Sequence, residues 1–93
     1  MRREDHLKTD MFFWNKEYNE VHAWLDEFYP DYRNETHWQE RHHLQALSEK
    51  WSEGTPEYNA AYMHVLCDFL SHYSMAYVPK NKEEVLEFFK SVS

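Results

Sequence analysis

The sequence predicts an all-α protein, a compact bundle of four to five short helices in one domain spanning residues 1–93. Apolar residues recur at spacings of three and four through most of the chain, which is the period of an amphipathic helix. A single glycine, Gly54, argues against an all-β fold, whose tight turns need residues that tolerate positive φ. Ninety-three residues are also too few for two separate cores, and no linker-like or repeated segment divides the chain.

The first two helices are predicted over about residues 4–14 and 16–28 from their apolar spacing. The second ends before Pro30, because the residue that precedes a proline avoids helical backbone angles. The pattern leaves open whether Asn15 separates these two helices.

The third and fourth helices are predicted over about residues 34–51 and 56–73, with Gly54 as the stop signal between them. Thr55 can cap the fourth helix, and Pro56 suits its first position because that position needs no backbone N–H donor.

A final short helix is predicted after Pro79, which interrupts the helical pattern. Asn81-Lys82-Glu83-Glu84 is a variant of the capping box, in which a polar side chain and a glutamate three residues later satisfy free backbone donors. Several short helices in a chain of this length predict a small bundle.

The net charge of −7, from seventeen acidic and ten basic residues, argues against generic binding to nucleic acid, which requires a positive face. No apolar run reaches the roughly 18 residues of a membrane span, and the first residues lead into no secretory signal, so no membrane association is expected. One cysteine, Cys67, cannot form an internal disulfide, which fits a cytoplasmic protein.

Seven histidines are the unusual feature of the composition. Three segments place an aspartate four residues after a histidine, a spacing that puts both side chains on one face of a helix. An imidazole and a carboxylate so placed can ligate one cation. The pairs are His6/Asp10, His22/Asp26 and His64/Asp68, and the predicted third helix adds His37, Arg41, His42 and His43.

A helical wheel separates these candidates. On one continuous third helix, His37 lies in line with the apolar stripe, His43 lies on its flank, and His42 points away, as a solvated residue would. The His64/Asp68 row lies off the apolar centre of the fourth helix, and His6/Asp10 is the weakest pair because chain ends fray.

We therefore predict a His/Asp-lined site that holds a divalent first-row transition metal, Zn, Mn, Ni or Fe. A metal-free polar network could satisfy the same side chains. The predicted metal ligands are His22, His37, His43, His64 and Asp68. The predicted catalytic residues are Asp26 and Asp68, as ligand or general base, and Arg41, as an anion clamp.

These segments resemble the pattern of a small family of uncharacterised proteins encoded in bacterial and phage genomes. That pattern has an early histidine, then His-x-Trp-x-Asp, His-x3-Arg-His-His and His-x3-Asp segments, and a proline-containing turn. The matching pieces are His6, residues 22–26, residues 37–43, residues 64–68 and Pro79. The chain lacks the glycines expected after the early histidine and after the Arg-His-His segment. The resemblance implies a shared polar site without identifying its chemistry.

Three functions follow as hypotheses. The first is a metal-dependent hydrolase that acts on an anionic, phosphate-type substrate. The second is a non-enzymatic acidic protein, such as a phage-type factor that binds a host protein, in which the histidines are structural. The third is pH sensing, since protonation of all seven histidines would cancel the net charge. We also expect a homodimer, because the predicted fourth helix is too apolar for one small chain to cover.

Overall fold

The computed structural model describes residues 2–27, 36–73 and 78–92, and the regular elements of this part of the chain are helices without a strand. The all-α prediction is confirmed. There are six helices here rather than four to five, because the predicted third helix is divided. They are α1 (Arg3–Trp14), α2 (Asn19–Leu25), α3 (Thr36–Arg41), α4 (Leu44–Lys50), α5 (Pro56–Tyr73) and α6 (Lys82–Val92). The predicted stop at Pro30 lies outside the described residues.

Asn15 separates α1 from α2, which answers the question that the sequence left open. Its backbone is left-handed, with φ of 54°, and its N–H donates to the carbonyl of Met11, which ends α1. Asparagine tolerates this conformation better than most residues do. The N–H of Tyr18 then donates to Oδ2 of Asp10 at 2.9 Å, so α2 begins at Asn19, later than the apolar pattern predicts.

The prediction of one helix over residues 34–51 is wrong, because the chain leaves the helical conformation at His42 and His43. His43 is extended and caps α4, its Nδ1 accepting the N–H of Ala46 at 3.2 Å. The next two donors pair with a distant segment, Leu44 N–H with the Pro79 carbonyl and Gln45 N–H with the Lys80 carbonyl. These bonds satisfy N–H groups that the start of a helix leaves unpaired.

The local signals around α5 and α6 are confirmed. Gly54 has φ of 86°, and Oγ1 of Thr55 accepts the N–H of Tyr58, which caps α5. Before α6, Oδ1 of Asn81 accepts the N–H of Glu84, and the Glu84 carboxylate accepts the N–H of Lys80. This reciprocal arrangement is close to a capping box, although the glutamate reaches one residue further back than usual.

The core forms around α5, which packs against α1, α2 and α4, while α6 packs against α3. Its buried apolar residues are Val21, Leu25, Leu47, Ala60, Ala61, Val65, Phe69, Val78, Val85 and Phe88. On α5 itself Tyr62 and Leu70 are exposed, but the greater part of its described apolar surface is covered within one chain. The homodimer inferred from the apolar character of this helix stays a prediction.

We expect Phe69→Ala to lower the free energy of unfolding by about 3 to 5 kcal/mol, because it empties a fully buried site. The Phe69 ring lies 5.6 Å from the Phe88 ring, measured between centroids, so α5 and α6 both lose packing. The measurement is urea unfolding followed by circular dichroism.

The matched control for this prediction is Leu70→Ala, the next residue of α5, whose side chain is partly exposed. It should change the free energy of unfolding by less than about 1 kcal/mol. Similar losses for the two variants would contradict the described placement of α5.

Candidate metal centre

Seven histidine and aspartate side chains converge where α1, α2 and α5 meet. They are His6 and Asp10 from α1, His22 and Asp26 from α2 and its C-cap, His42 from the break before α4, and His64 and Asp68 from α5. Six are buried, and the Asp26 side chain is 20% exposed. All three His-x3-Asp pairs contribute both members, as expected from side chains one helical turn apart.

Four of these side chains direct one potential ligand atom each toward a common point, and we call them the four-donor group: Asp26, His42, His64 and Asp68. Nε2 of His64 lies 3.3 Å from Oδ1 of Asp26 and 3.2 Å from Oδ2 of Asp68. Nε2 of His42 lies 3.3 Å from the same Asp68 oxygen and 3.9 Å from the Asp26 oxygen. Ligands placed tetrahedrally at 2.0–2.1 Å from a metal are about 3.3 Å apart. The group could therefore hold a metal ion.

His64 faces two carboxylates through a nitrogen that makes no hydrogen bond, since neither contact of its Nε2 has the required geometry. Burial alone would lower the pKa of His64, but the carboxylates of Asp26 and Asp68 outweigh burial and raise it. A lone pair on this nitrogen would face oxygen lone pairs. A cation at this point, whether a proton or a metal ion, relieves that repulsion.

At His42 and His22, burial has the largest effect on the pKa. It lowers the pKa of His42, and it lowers the pKa of His22 to about 4, although Asp10 acts in the opposite direction. Burial would raise the pKa of Asp68, but contacts with His42, His6 and His64 hold it well below its usual range. Asp68 is therefore ionised at neutral pH, while His22 and His42 are neutral, which are the protonation states that metal ligands require.

A second group, the three-histidine group, consists of His6, His22 and His64, and it shares His64 with the four-donor group. The rings of His6 and His64 are stacked, with centroids 3.7 Å apart. His6 and His22 are each already paired with a carboxylate. Nε2 of His6 lies 2.9 Å from Asp68, and Nε2 of His22 lies 2.6 Å from Asp10. His6 and His22 therefore contact the four-donor group through His64 and Asp68.

The remaining sequence-predicted site residues lie elsewhere. His43 caps α4 and belongs to neither group. Arg41 donates to the carbonyl of Trp24 at 2.7 Å, stacks over its ring and forms an ion pair with Glu27. Glu27 directly follows Asp26, the C-cap of α2, so Arg41 lies at the turn after this helix. The backbone of His37 lies in α3, and its side chain lies outside the described part of the structure.

The predicted ligand set lacks His42, and the sequence marks His6/Asp10 as the weakest pair although both residues are buried within the cluster. The expectation that His42 is solvated is wrong, because it assumed a continuous third helix and the break at residues 42–43 redirects the side chain. The Arg-His-His segment of the resembling pattern was the one signal that singled out His42. For His6 and Asp10 the signal was the repeated four-residue spacing.

Comparison of the chain with protein-family models, curated proteins and solved structures gave no match. Among the described helices, none combines the length and apolar character needed to cross a membrane. The candidate site therefore rests on its own geometry.

We expect the metal-free protein to lose stability as the pH falls from 6.5 to about 4. In this window an unfolded chain takes up protons that the buried, neutral His22, His42 and His43 do not. His22 alone accounts for a loss on the order of 3 kcal/mol, from the difference between a pKa of 6.5 and one of about 4.

Between pH 6.5 and about 4, the loss of stability is not caused by His64 or Asp68, whose pKa values are also shifted. The contribution of His64, whose pKa is raised, is fully present below pH 6.5 and is lost only as the pH rises through its folded pKa. That of Asp68, whose pKa is depressed, is lost only below its unfolded pKa of about 3.8. Urea unfolding at four pH values measures the slope, which His22→Asn should reduce. An unfolding free energy independent of pH across the window would contradict the prediction.

Proposed function

We propose that this chain binds one divalent first-row transition metal ion in the four-donor group and hydrolyses an anionic, phosphate-type substrate. The observation that carries the proposal is the spacing of the four donor atoms, with four measured separations between 3.2 and 3.9 Å. Three separate parts of the chain supply these atoms, so the spacing is not a by-product of one helix. Two imidazoles and two carboxylates suit Zn, Mn, Ni or Fe.

Burial divides the four donors into two roles. His42, His64 and Asp68 are almost wholly enclosed, while Asp26 is partly exposed and belongs to the longest of the four separations. We assign the three enclosed residues as the permanent ligands and Asp26, on the solvent side, as a fourth donor that water can replace. Three protein ligands with one open position is the arrangement of catalytic rather than structural zinc sites.

A divalent ion with an open position lowers the pKa of bound water toward 7. With a metal ion bound, the partly exposed carboxylate of Asp26 would accept a proton from water at this position, as a general base. The enclosing helices and the stacked His6 ring limit water on the other side of His64. Water could therefore reach the site only from the side of Asp26, the partly exposed member of the cluster.

Positive charge lies at this solvent side. Arg3 approaches the Asp26 carboxylate at 3.6 Å, through Nε and the oxygen that faces away from the four-donor group. Arg41 pairs with Glu27, the next residue. In an otherwise acidic chain, the partly exposed guanidinium of Arg3 beside Asp26 favours an anionic substrate, because it can pair with phosphate oxygens. Arg41 is bound to Glu27 and to the Trp24 carbonyl, and it would have to release these partners to contact a substrate.

Metal content and hydrolysis test the proposal. Untagged protein, purified without chelator, should contain about one first-row metal ion per chain by plasma mass spectrometry. His64→Ala and Asp68→Asn should lose the ion, whereas His43→Asn should keep it, because asparagine can cap α4 in place of the imidazole. Circular dichroism should show that each variant retains its helices.

Asp26→Asn separates binding from catalysis. It should keep the metal ion and lower the hydrolysis of bis(p-nitrophenyl) phosphate about 100-fold or more, because the general base is removed. Wild-type protein that neither contains nor takes up Zn, Mn, Ni or Fe would refute the metal site. A loaded wild type without hydrolytic activity on phosphate esters would refute the enzyme.

A second candidate function, the non-enzymatic interaction protein, is favoured by an exposed apolar surface at the end of α1. Met11, Phe12 and Phe13 are 46, 82 and 54% exposed. Exposed aromatic residues in adjacent positions are typical anchors of protein interfaces. Under this candidate the surface binds a second copy of the chain or a host protein, and the cluster is structural.

Light scattering of wild type and of Phe12→Ser tests this candidate through its simplest case, the predicted homodimer. A dimer that becomes a monomer in the variant would support an interface at α1. A monomeric wild type would contradict the homodimer.

A further inference from the structure

A chain of three hydrogen-bonding groups leads from the far side of the cluster to the four-donor group. Oδ2 of Asp10 lies 2.6 Å from Nε2 of His22, and Nδ1 of His22 lies 2.7 Å from Nδ1 of His64. Nε2 of His64 is the atom that faces Asp26 and Asp68. Asp10, His22 and His64 are buried, so water does not compete for these bonds.

The donor in the first bond is set by the chemistry of Asp10. Its Oδ2 also accepts the backbone N–H of Tyr18 at 2.9 Å, so this oxygen serves as an acceptor. The proton of the bond between Asp10 and His22 therefore lies on Nε2 of His22. A neutral imidazole carries one proton, so Nδ1 of His22 is left as an acceptor.

The donor in the second bond follows from the first. Two Nδ1 atoms 2.7 Å apart share one proton, and since Nδ1 of His22 accepts, Nδ1 of His64 donates. A neutral His64 with its proton on Nδ1 has its lone pair on Nε2. That lone pair is directed at the point on which the four-donor group converges.

We propose that Asp10 and His22 are positioning residues that hold His64 in the Nδ1–H tautomer and direct its Nε2 to the metal ion. This inference rests on the proposed metal site and deepens it. Metal-bound histidines commonly donate their other N–H to a carboxylate or carbonyl. Here a second imidazole stands between that N–H and the carboxylate. The His6 ring, stacked on His64, further restricts rotation of the ligand.

The tautomers are read directly by long-range ¹H–¹⁵N correlation spectra of histidine-labelled, zinc-loaded protein. We expect a proton on Nδ1 and zinc on Nε2 of His64, with a proton on Nε2 and none on Nδ1 of His22. A merely structural role for His22 would not require this assignment. A proton on Nδ1 of His22 in the zinc-loaded protein would overturn the inference.

Zinc affinity, measured by competition with a chromophoric chelator, gives the second readout. His22→Gln removes the acceptor near Nδ1, because the glutamine amide extends toward Asp10 instead, and should weaken zinc binding about 10- to 100-fold. His22→Asn places an amide oxygen near the lost Nδ1 and should recover most of the affinity. His43→Asn, on the cap of α4, is the matched control and should bind zinc as wild type does.

Asp10→Asn refines the test, because the amide oxygen can still accept from both Tyr18 and His22. It should keep the tautomers and weaken zinc binding less than His22→Gln does. Equal zinc affinities for wild type and a folded His22→Gln would overturn the positioning role while leaving the metal site intact. Failure of the wild type to bind zinc or the other metals would instead refute the proposed function, and this inference with it.

Discussion

The constraint on which this structure depends is that buried polar groups must satisfy one another. Six ionisable side chains of the cluster lie almost fully enclosed in the described part of the chain, and each has a partner on an element other than its own. Asp10 holds His22 and the start of α2, while Asp68 holds His6 of α1 and contacts His42 before α4. Removing one partner leaves a buried group unpaired, which costs more than the bond contributes. The cluster thus fixes where α1, α2 and α5 lie.

The apolar core is correspondingly small, and it occupies the other side of α5. Val65 and Phe69 of this helix pack into the core, while His64 and Asp68, one position before each, belong to the cluster. Because consecutive residues of a helix point about 100° apart, one helix serves both environments. The His64/Asp68 row lies away from the apolar centre of α5, which counts against a buried site if the helix has one buried and one exposed face. In the structure this row is buried as well, because it belongs to the cluster. The neighbours that surround α5 within one chain thus cover most of its described apolar residues.

The sequence predicted those parts of the fold whose signals are local. Thr55 and Asn81 each act through hydrogen bonds to residues three positions away, and Gly54 acts through its own backbone conformation. The starts of α5 and α6 could therefore be foreseen. The pairs at four-residue spacing were foreseen for the same reason. The break at residues 42–43 could not be, because the carbonyls of Pro79 and Lys80 that receive the first donors of α4 are distant in sequence. That one non-local contact turned His42 from an apparent surface residue into a member of the four-donor group.

The charge balance of the cluster favours a dication over a purely hydrogen-bonded network. Asp26 and Asp68 direct their oxygens at one point, and burial keeps His42 neutral there. Without a metal ion, protonation of His64 supplies one positive charge at this point against two carboxylates, with Arg3 contributing from a partly exposed position. A divalent ion supplies two charges at the centre and replaces the proton on Nε2. Neutral imidazoles and ionised carboxylates then all contribute in the form in which they bind metal.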